Sequence, residues 1–256
     1  MTDGVVVETR FAKHPEAALI RMNRPEKRNS MPAKDFAIFG DKIAALQHDT
    51  SVKVIFITGT GGAFTSGQDV NDINALKGAE LAALFERDID ILSRIVSMPK
   101  IVIAAVNGAT SGFGNHLAIC SDLCIVKKGA KFHFTGAAKA LPSLLLGTLL
   151  LPMTVGLKRA KSIYLRGGEY TAEQAVADGF CNYAVDDADW DAELEKLAAE
   201  FSARNPLTMA HNKYQLNQGA MQMLGAVKLS GLAGAGLLSG ATSIPTGRID
   251  YAKTAG

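Results

Sequence analysis

At 256 residues, 48% hydrophobic and 20% charged, the chain has the composition of one sizeable globular domain, or of a core with a small appendage. Its 27 basic and 25 acidic residues leave a formal net charge of +2, which argues against a general nucleic-acid or membrane-surface role. The three cysteines, Cys120, Cys124 and Cys181, are too sparse for a metal site; Cys120 and Cys124 sit in an apolar stretch as buried small hydrophobes of a reducing compartment.

The segment MTDGVVVETR lacks the basic-then-apolar pattern of a signal peptide. Val5–Thr9 and Ala17–Arg21 read as two strands around a His14-Pro15 turn, and Pro25–Asn29 as a polar loop. Pro32 suits the first turn of a helix to about His48, with Phe36, Ile38, Phe39, Ile43, Ala44 and Leu46 as its apolar positions. Val54–Thr58 is a continuous apolar run of the kind found in buried strands, and it empties into a loop with Gly59, Gly61, Gly62 and Gly67. Asp69 is placed to cap the helix that follows. Glu80–Val96 is mostly helical in pattern. Ile101–Val106, behind Pro99, is a second buried strand; it breaks at Asn107-Gly108, passes Gly112 and Gly114, and resumes as a short helix through Leu117–Cys120.

Leu123–Val126 and Lys131–Phe134 read as further strands. Leu144–Met153 is the most apolar stretch, but Gly147 and Pro152 interrupt it, and it is shorter than the ~20 residues a bilayer span needs. The chain is therefore expected to be cytoplasmic. From Thr171 onward the pattern is helical, with a helix from Asp186–Asp189 through Arg204 carrying Trp190, Leu194, Leu197 and Phe201. Pro206 can open the next helix, and the Gly/Ala/Leu/Ser-rich tail Leu224–Gly240 suits close helix packing or a subunit contact. Strands alternating with helices define an α/β class.

Two apolar strands, each emptying into a glycine loop before a helix start, can present two main-chain N–H groups to one oxygen. That is the requirement for stabilising an enolate or a tetrahedral oxyanion. A tight strand-to-helix connection with no ligand would carry the same glycines.

The pieces MNRPEKRNSM (Met22–Met31), ITGTGGAFTSGQDV (Ile57–Val70), AAVNGATSGFGNHLAICSD (Ala104–Asp122) and VGLKRAKSIYLRGGEYTAEQAVADGF (Val155–Phe180) resemble the crotonase, or enoyl-CoA hydratase/isomerase, superfamily. The resemblance runs in order from about Ala18 to Val185 and is weak beyond Leu207. It implies a spiral of ββα units over residues 1–200 and a C-terminal helical region over 201–256 that covers the site and packs in a homotrimer or dimer of trimers. It also implies an acyl-CoA substrate, with coenzyme A as part of that substrate and no other cofactor or metal.

By position, the resemblance assigns the oxyanion hole to the N–H groups of Gln68 and Phe113, with Gly67 and Gly112 preceding them. Phe113 stands where glycine is usual and is expected to narrow the acyl pocket. Coenzyme A is expected along Lys27, Arg28 and Ser30, with backbone around Ala63 and Ser66 and with Asp69 and Val70 beside the acyl group. Lys213 or Lys253 are the candidates to reach a neighbouring subunit's nucleotide.

The departures are informative. The hydratases' two glutamates fall at His116 and Gly136 in this chain, so neither carboxylate is present. Adding water to an enoyl thioester needs one group to activate water and another to protonate the α-carbon. His116 is the candidate to replace one of them, because an imidazole exchanges protons near neutrality. His133, alternating with Phe132 and Phe134, reads as structural or surface. Among Asp72, Glu86, Asp88 and Asp90, any one could point inward. The expected function is enolate chemistry on an acyl-CoA thioester. The alternatives are a non-catalytic acyl-CoA-binding relative and a diketone carbon–carbon hydrolase of the same fold. No basic stripe supports nucleic-acid binding.

Overall fold

The computed structural model describes residues 6–136, 143 and 145–239, with side chains up to residue 229. Val5, Leu144, Gly240 and Lys253 lie outside the described residues. The chain opens with an antiparallel hairpin of β1 (Val6–Arg10) and β2 (Ala17–Met22), closed by Phe11 N–H donating to Ala17 O. A single 3-10 turn at Pro25–Lys27 leads to α1 (Ala33–His48), which Pro32 precedes as its N-cap. Then follow β3 (Val54–Gly59), α2 (Val70–Ala75), α3 (Gly78–Ser97), β4 (Ile101–Val106), β5 (Thr110–Ser111) and α4 (Phe113–Cys120). The remaining elements are β6 (Leu123–Lys127), β7 (Lys131–Phe134), α5 (Gly147–Val155), α6 (Leu157–Arg166), β8 (Gly168–Thr171), α7 (Ala172–Ala177), β9 (Tyr183–Val185), α8 (Trp190–Ala203) and α9 (Pro206–Ser239).

One sheet has the order β1-β2-β3-β4-β6-β9, parallel except for β1. Strands β3 and β4 are buried along their whole length because both sheet faces are covered, and this is why they read as unbroken apolar runs. Ile55, Ile57, Val102 and Ala104 face the larger core with α1, α3 and α4. Val54, Phe56, Ile101 and Ile103 face a second core closed by Trp190, Leu194 and Leu197 of α8. A second sheet, β5-β7-β8, is extended by isolated bridges at Met31–Gln68 and Ala63–Ala109. Successive turns of the chain thus run from main-sheet strand to a short crossing segment and then to a helix.

Three strands escape the sequence pattern: the two-residue β5, β8 and β9. The region after Gly167 is not wholly helical: β8 pairs antiparallel with β7, and β9 adds to the main sheet beside β6. Both are short, and their hydrogen bonds go to strands distant in sequence, so local periodicity does not reveal them. The helix read over Glu80–Val96 extends two residues before that span and one after it, as α3. The three cysteines are free and buried, and the Cys124 and Cys181 thiols lie 3.2 Å apart. No described helix is long and apolar enough to cross a membrane.

Lys213 corrects a sequence-based expectation. It is buried, and its Nζ donates to Ile95 O (2.7 Å), Lys100 O (2.8 Å) and Asp122 Oδ2 (2.7 Å). An ammonium with three acceptors is satisfied where it is and is not free to meet a nucleotide. It ties α9 to the carboxyl end of α3 and to the start of β4, where Asp122 Oδ2 also accepts from Val102 N at 2.8 Å. Replacing Lys213 with Ala leaves Asp122 largely buried without its counter-charge and should cost about 3–5 kcal/mol of stability. Urea denaturation of the K213A variant at pH 7 checks this; a loss under 1 kcal/mol would contradict it.

Candidate active site

The site is built where β3 and β4 end. These strands are parallel neighbours, with Ile57 paired to Ala104, so their following loops leave from the same edge of the sheet. Loop 59–67 is pinned from both sides. Asn29 Nδ2 donates to Thr60 O (2.9 Å) and Ala63 O (2.8 Å), and Asn107 Nδ2 donates to Gly61 O (2.8 Å). Thr65 Oγ1 donates to Asn29 O (2.7 Å) and accepts from Gly67 N (2.9 Å). The β4 loop is tied to it by Phe64 N–H donating to Ala109 O (2.9 Å) and Ser111 N–H to Thr65 O (3.1 Å).

Gly67 is where the loops touch. Its φ of +87° suits glycine, and a Cβ built there would lie 2.9 Å from Phe113 N. The next residue is Gln68. Met31 N–H donates to Gly67 O and Met31 O accepts from Asp69 N, both at 2.9 Å. In such a parallel bridge the central residue's own N–H points the other way. Phe113 is the first residue of α4, whose N–H has no helical acceptor, and no side chain caps it. Among the described residues, neither Gln68 N–H nor Phe113 N–H donates to a protein acceptor.

Both residues line a cavity of about 650 Å³. Of the other candidates, Ser66, Val70, Gly112, His116 and Gly136 line it too. Lys27 and Arg28 are exposed on the preceding loop, and Ser30 and Ala63 are buried behind it. Asp69 caps α2 by accepting from Asn71 N (3.1 Å) and pairs with Arg24 (2.9 Å). Arg24, which the sequence does not single out, also reaches Ser30 Oγ at 3.4 Å and braces the loop. The ring of Phe113 packs edge-on to Phe36 (4.6 Å between centroids) and Phe39 (6.2 Å). Most of it is therefore buried against α1, and it narrows the cavity less than its size suggests. His133 and its neighbour Phe134 both line the cavity wall, with Glu169 beside the histidine.

His116 is buried in α4, and its Nδ1 accepts from Gly147 N–H (3.2 Å) at the start of α5. A Cβ at position 147 would lie 2.4 Å from that nitrogen, so only glycine permits the contact. With Nδ1 accepting, the neutral ring carries its proton on Nε2. Burial also pushes its pKa down to about 4. Near pH 7 His116 is therefore neutral, with its Nδ1 lone pair engaged by Gly147 N–H.

Asp88 of α3 also lines the cavity. It is 1% exposed, and its Oδ1 accepts from Gln68 Nε2 at 2.6 Å. Burial holds its carboxyl well above the usual carboxylate range. The sequence places Asp88 only as one of four possibilities. The available signal is that it interrupts an apolar stripe, Leu81, Leu84, Phe85, Ile91, Leu92 and Ile95, at helical spacing. Asp72 is turned elsewhere and accepts from Ala33 N at 2.7 Å, while Glu86 and Asp90 pair with Lys228.

A sequence profile of the enoyl-CoA hydratase/isomerase family matches residues 13–229. The chain belongs to this family. Among its relatives, the 1,2-epoxyphenylacetyl-CoA isomerase of Escherichia coli K12 is 30% identical over 209 residues, 80% of each chain. The crotonyl-CoA hydratase of Syntrophomonas wolfei is 29% identical over 211 residues, 81% of this chain and 80% of that one. In structure, an enoyl-CoA hydratase/isomerase from Xanthobacter autotrophicus Py2 superposes with a TM-score of 0.81 at 28% identity, covering 94% of this chain and 90% of that one. The fold is the crotonase fold, an α/β spiral with a C-terminal helix.

Because His116 is neutral in the folded state below its ordinary pKa, unfolding takes up a proton as the pH falls from about 6.5 toward 4. Its contribution to stability is present above that window and lost on descending through it. Nitrogen NMR of the imidazole should show a neutral, Nε2-protonated ring at pH 6; an imidazolium there would overturn this reading. Gly147→Ala should break the Nδ1 contact and cost about 1–3 kcal/mol by overpacking, measured by thermal unfolding.

Proposed function

We propose that this protein is an enoyl-CoA isomerase-type enzyme: it polarises an acyl-CoA thioester carbonyl at Gln68 N–H and Phe113 N–H and carries the reaction through an enolate. The observation behind this is two unbonded amides, on loops in contact at Gly67, lining one cavity beside an apolar wall of Val70, Ile73 and Phe85. Such donors are fixed before the charge develops, and losing one costs about 3–4 kcal/mol of transition-state stabilisation.

Isomerisation is favoured over hydration on chemical grounds. The two positions that would hold the hydratase glutamates carry His116 and Gly136, and His116 offers a hydrogen bond, not a lone pair, to the cavity. A diketone hydrolase would likewise need two roles, activating water and protonating the carbon left behind, where isomerisation needs one proton carrier. The relatives include an isomerase and a hydratase at nearly equal identity, so likeness alone favours neither. Exposed Lys27 and Arg28 suit the phosphates of coenzyme A. The same reading carries a trimer in the cytoplasm, for which exposed Leu207 and Tyr214, seven residues apart and so on one side of α9, supply contact surface.

The test is purified full-length protein against 3-enoyl-CoA, 2-enoyl-CoA and a cyclic diketone. Movement of the double bond in the first is expected, with little hydration of the second. Gly67→Ala, which forces a Cβ against Phe113 N, should lower kcat by about 10²–10³-fold while acyl-CoA binding by calorimetry persists. Binding without turnover of any substrate would favour a non-catalytic relative.

A further inference from the structure

The cavity holds a carboxyl that neither the glutamate positions nor the histidine accounts for. We infer that Asp88 is the catalytic acid–base of this site, and that the Gln68 side chain positions it against the same carbonyl whose oxygen the Gln68 main chain binds. The inference rests on the acyl-thioester reading above and names the group that moves the proton.

Three observations carry it. Asp88 is on the buried face of α3, where an apolar residue would be expected, yet it lines the cavity. A carboxyl is costly in that place unless something uses it. Its one hydrogen bond among the described residues is Gln68 Nε2 to Oδ1, which leaves Oδ2 without a protein partner. And one residue, Gln68, is at once the donor to the oxyanion and the tether of the acid, so the carboxyl sits one side chain away from the polarised carbonyl. A thioester bound with its carbonyl oxygen at these amides would bring its adjacent carbon, C2, into the cavity that Asp88 lines.

The chemistry closes on Asp88 alone. In its ionised form, Oδ2 removes a proton from C2 of a 3-enoyl thioester. The C2–H electron pair becomes the C1–C2 double bond, and the carbonyl π pair moves to oxygen, where the two amides hold it. Oδ2 then returns the proton to C4. The oxygen pair re-forms the carbonyl, the C1–C2 pair becomes the C2–C3 double bond, and the former C3–C4 pair binds the proton. The double bond has moved into conjugation, Asp88 is ionised again, and no water or second carboxylate is consumed.

Burial matches this role. A carboxyl pushed toward neutrality is a stronger base when ionised and so lies closer to the acidity of an activated α-proton. Its charged surroundings are Arg87 beside it, Glu86 and Asp90 on the same helix paired with Lys228 of α9, and, around the cavity, His116 of α4, His133 of β7 and Lys161 of α6. Arg87 and the Gln68 amide favour ionisation, and burial opposes it more strongly.

The experiment follows two readouts in full-length protein: conversion of 3-enoyl-CoA to 2-enoyl-CoA, and exchange of the α-proton of a saturated acyl-CoA in D2O. Asp88→Asn should retain acyl-CoA binding and lose both by about 10²–10⁴-fold. Gln68→Leu keeps the main-chain donor and removes the hydrogen bond that favours ionised Asp88. It should move the acid limb of the kcat profile to higher pH, a shift that a merely structural glutamine would not produce. If the wild type exchanges protons and Asp88→Asn does so within about threefold, the Asp88 role fails while the oxyanion hole stands. If the wild type neither converts nor exchanges, the acyl-thioester reading falls and takes Asp88 with it. Should Asp88→Asn not fold, the Gln68→Leu profile decides: an unmoved limb overturns the proposal.

Discussion

Everything in this molecule that points to chemistry depends on the contact of two loops at Gly67. A protein must satisfy nearly all of its buried main-chain donors, so leaving two of them open side by side requires a special arrangement. Here each amide is left open for a different reason. Gln68 is the central residue of a parallel bridge whose two bonds belong to its neighbours, and Phe113 begins a helix and has nothing upstream to bond. Parallel β3 and β4 bring the two loops to the same sheet edge, and the absent side chain of residue 67 brings them together. The side chains of Asn29, Asn107 and Thr65 bond main-chain groups along the same loops and hold them in place around the open donors.

Burial around that contact sets the protonation of the site. The same desolvation pushes His116 down and Asp88 up, so each favours its neutral form. The consequences are opposite in kind. For His116, the amide of Gly147 occupies the lone pair on Nδ1 and converts the imidazole into a fixed donor. For Asp88, the Gln68 amide occupies one oxygen and leaves the other for a substrate. On the proposed reading, a buried neutral imidazole and a buried carboxyl divide hydrogen-bond donation and proton transfer between them.

Much of this was legible in the residues because it is local. Strands covered on both faces write themselves as unbroken apolar runs, which is why Val54–Thr58 and Ile101–Val106 are plain. Asp69 as a cap and Pro32 and Pro206 at helix starts follow from backbone chemistry within a few residues. What was not legible depends on partners far along the chain. Strands β8 and β9 exist through their pairing with β7 and β6, and a four-residue or three-residue segment carries too little periodicity to announce that. Lys213 looks from sequence like any late basic residue, and only the fold shows its ammonium enclosed by three acceptors. Asp88 is the intermediate case. Its place on the apolar stripe of α3 is visible in sequence, but its bond to Gln68 spans 20 residues and two elements.

The C-terminal helix enters the chemistry through α3. A helix that ends in the core leaves its last carbonyls without donors, and those of α3 are met from α9: Ile95 O accepts from Lys213 Nζ and Val96 O from Asn217 Nδ2 at 2.9 Å. About two turns earlier in α3, Lys228 engages Glu86 and Asp90, which lie two residues before and after Asp88. These bonds fix the rotation and height of α3, and with them the direction in which residue 88 points. A carboxyl carried on a helix points only where that helix is held. On the reading that Asp88 carries the proton, α9 is more than a cover: its bonds hold the helix that presents the carboxyl.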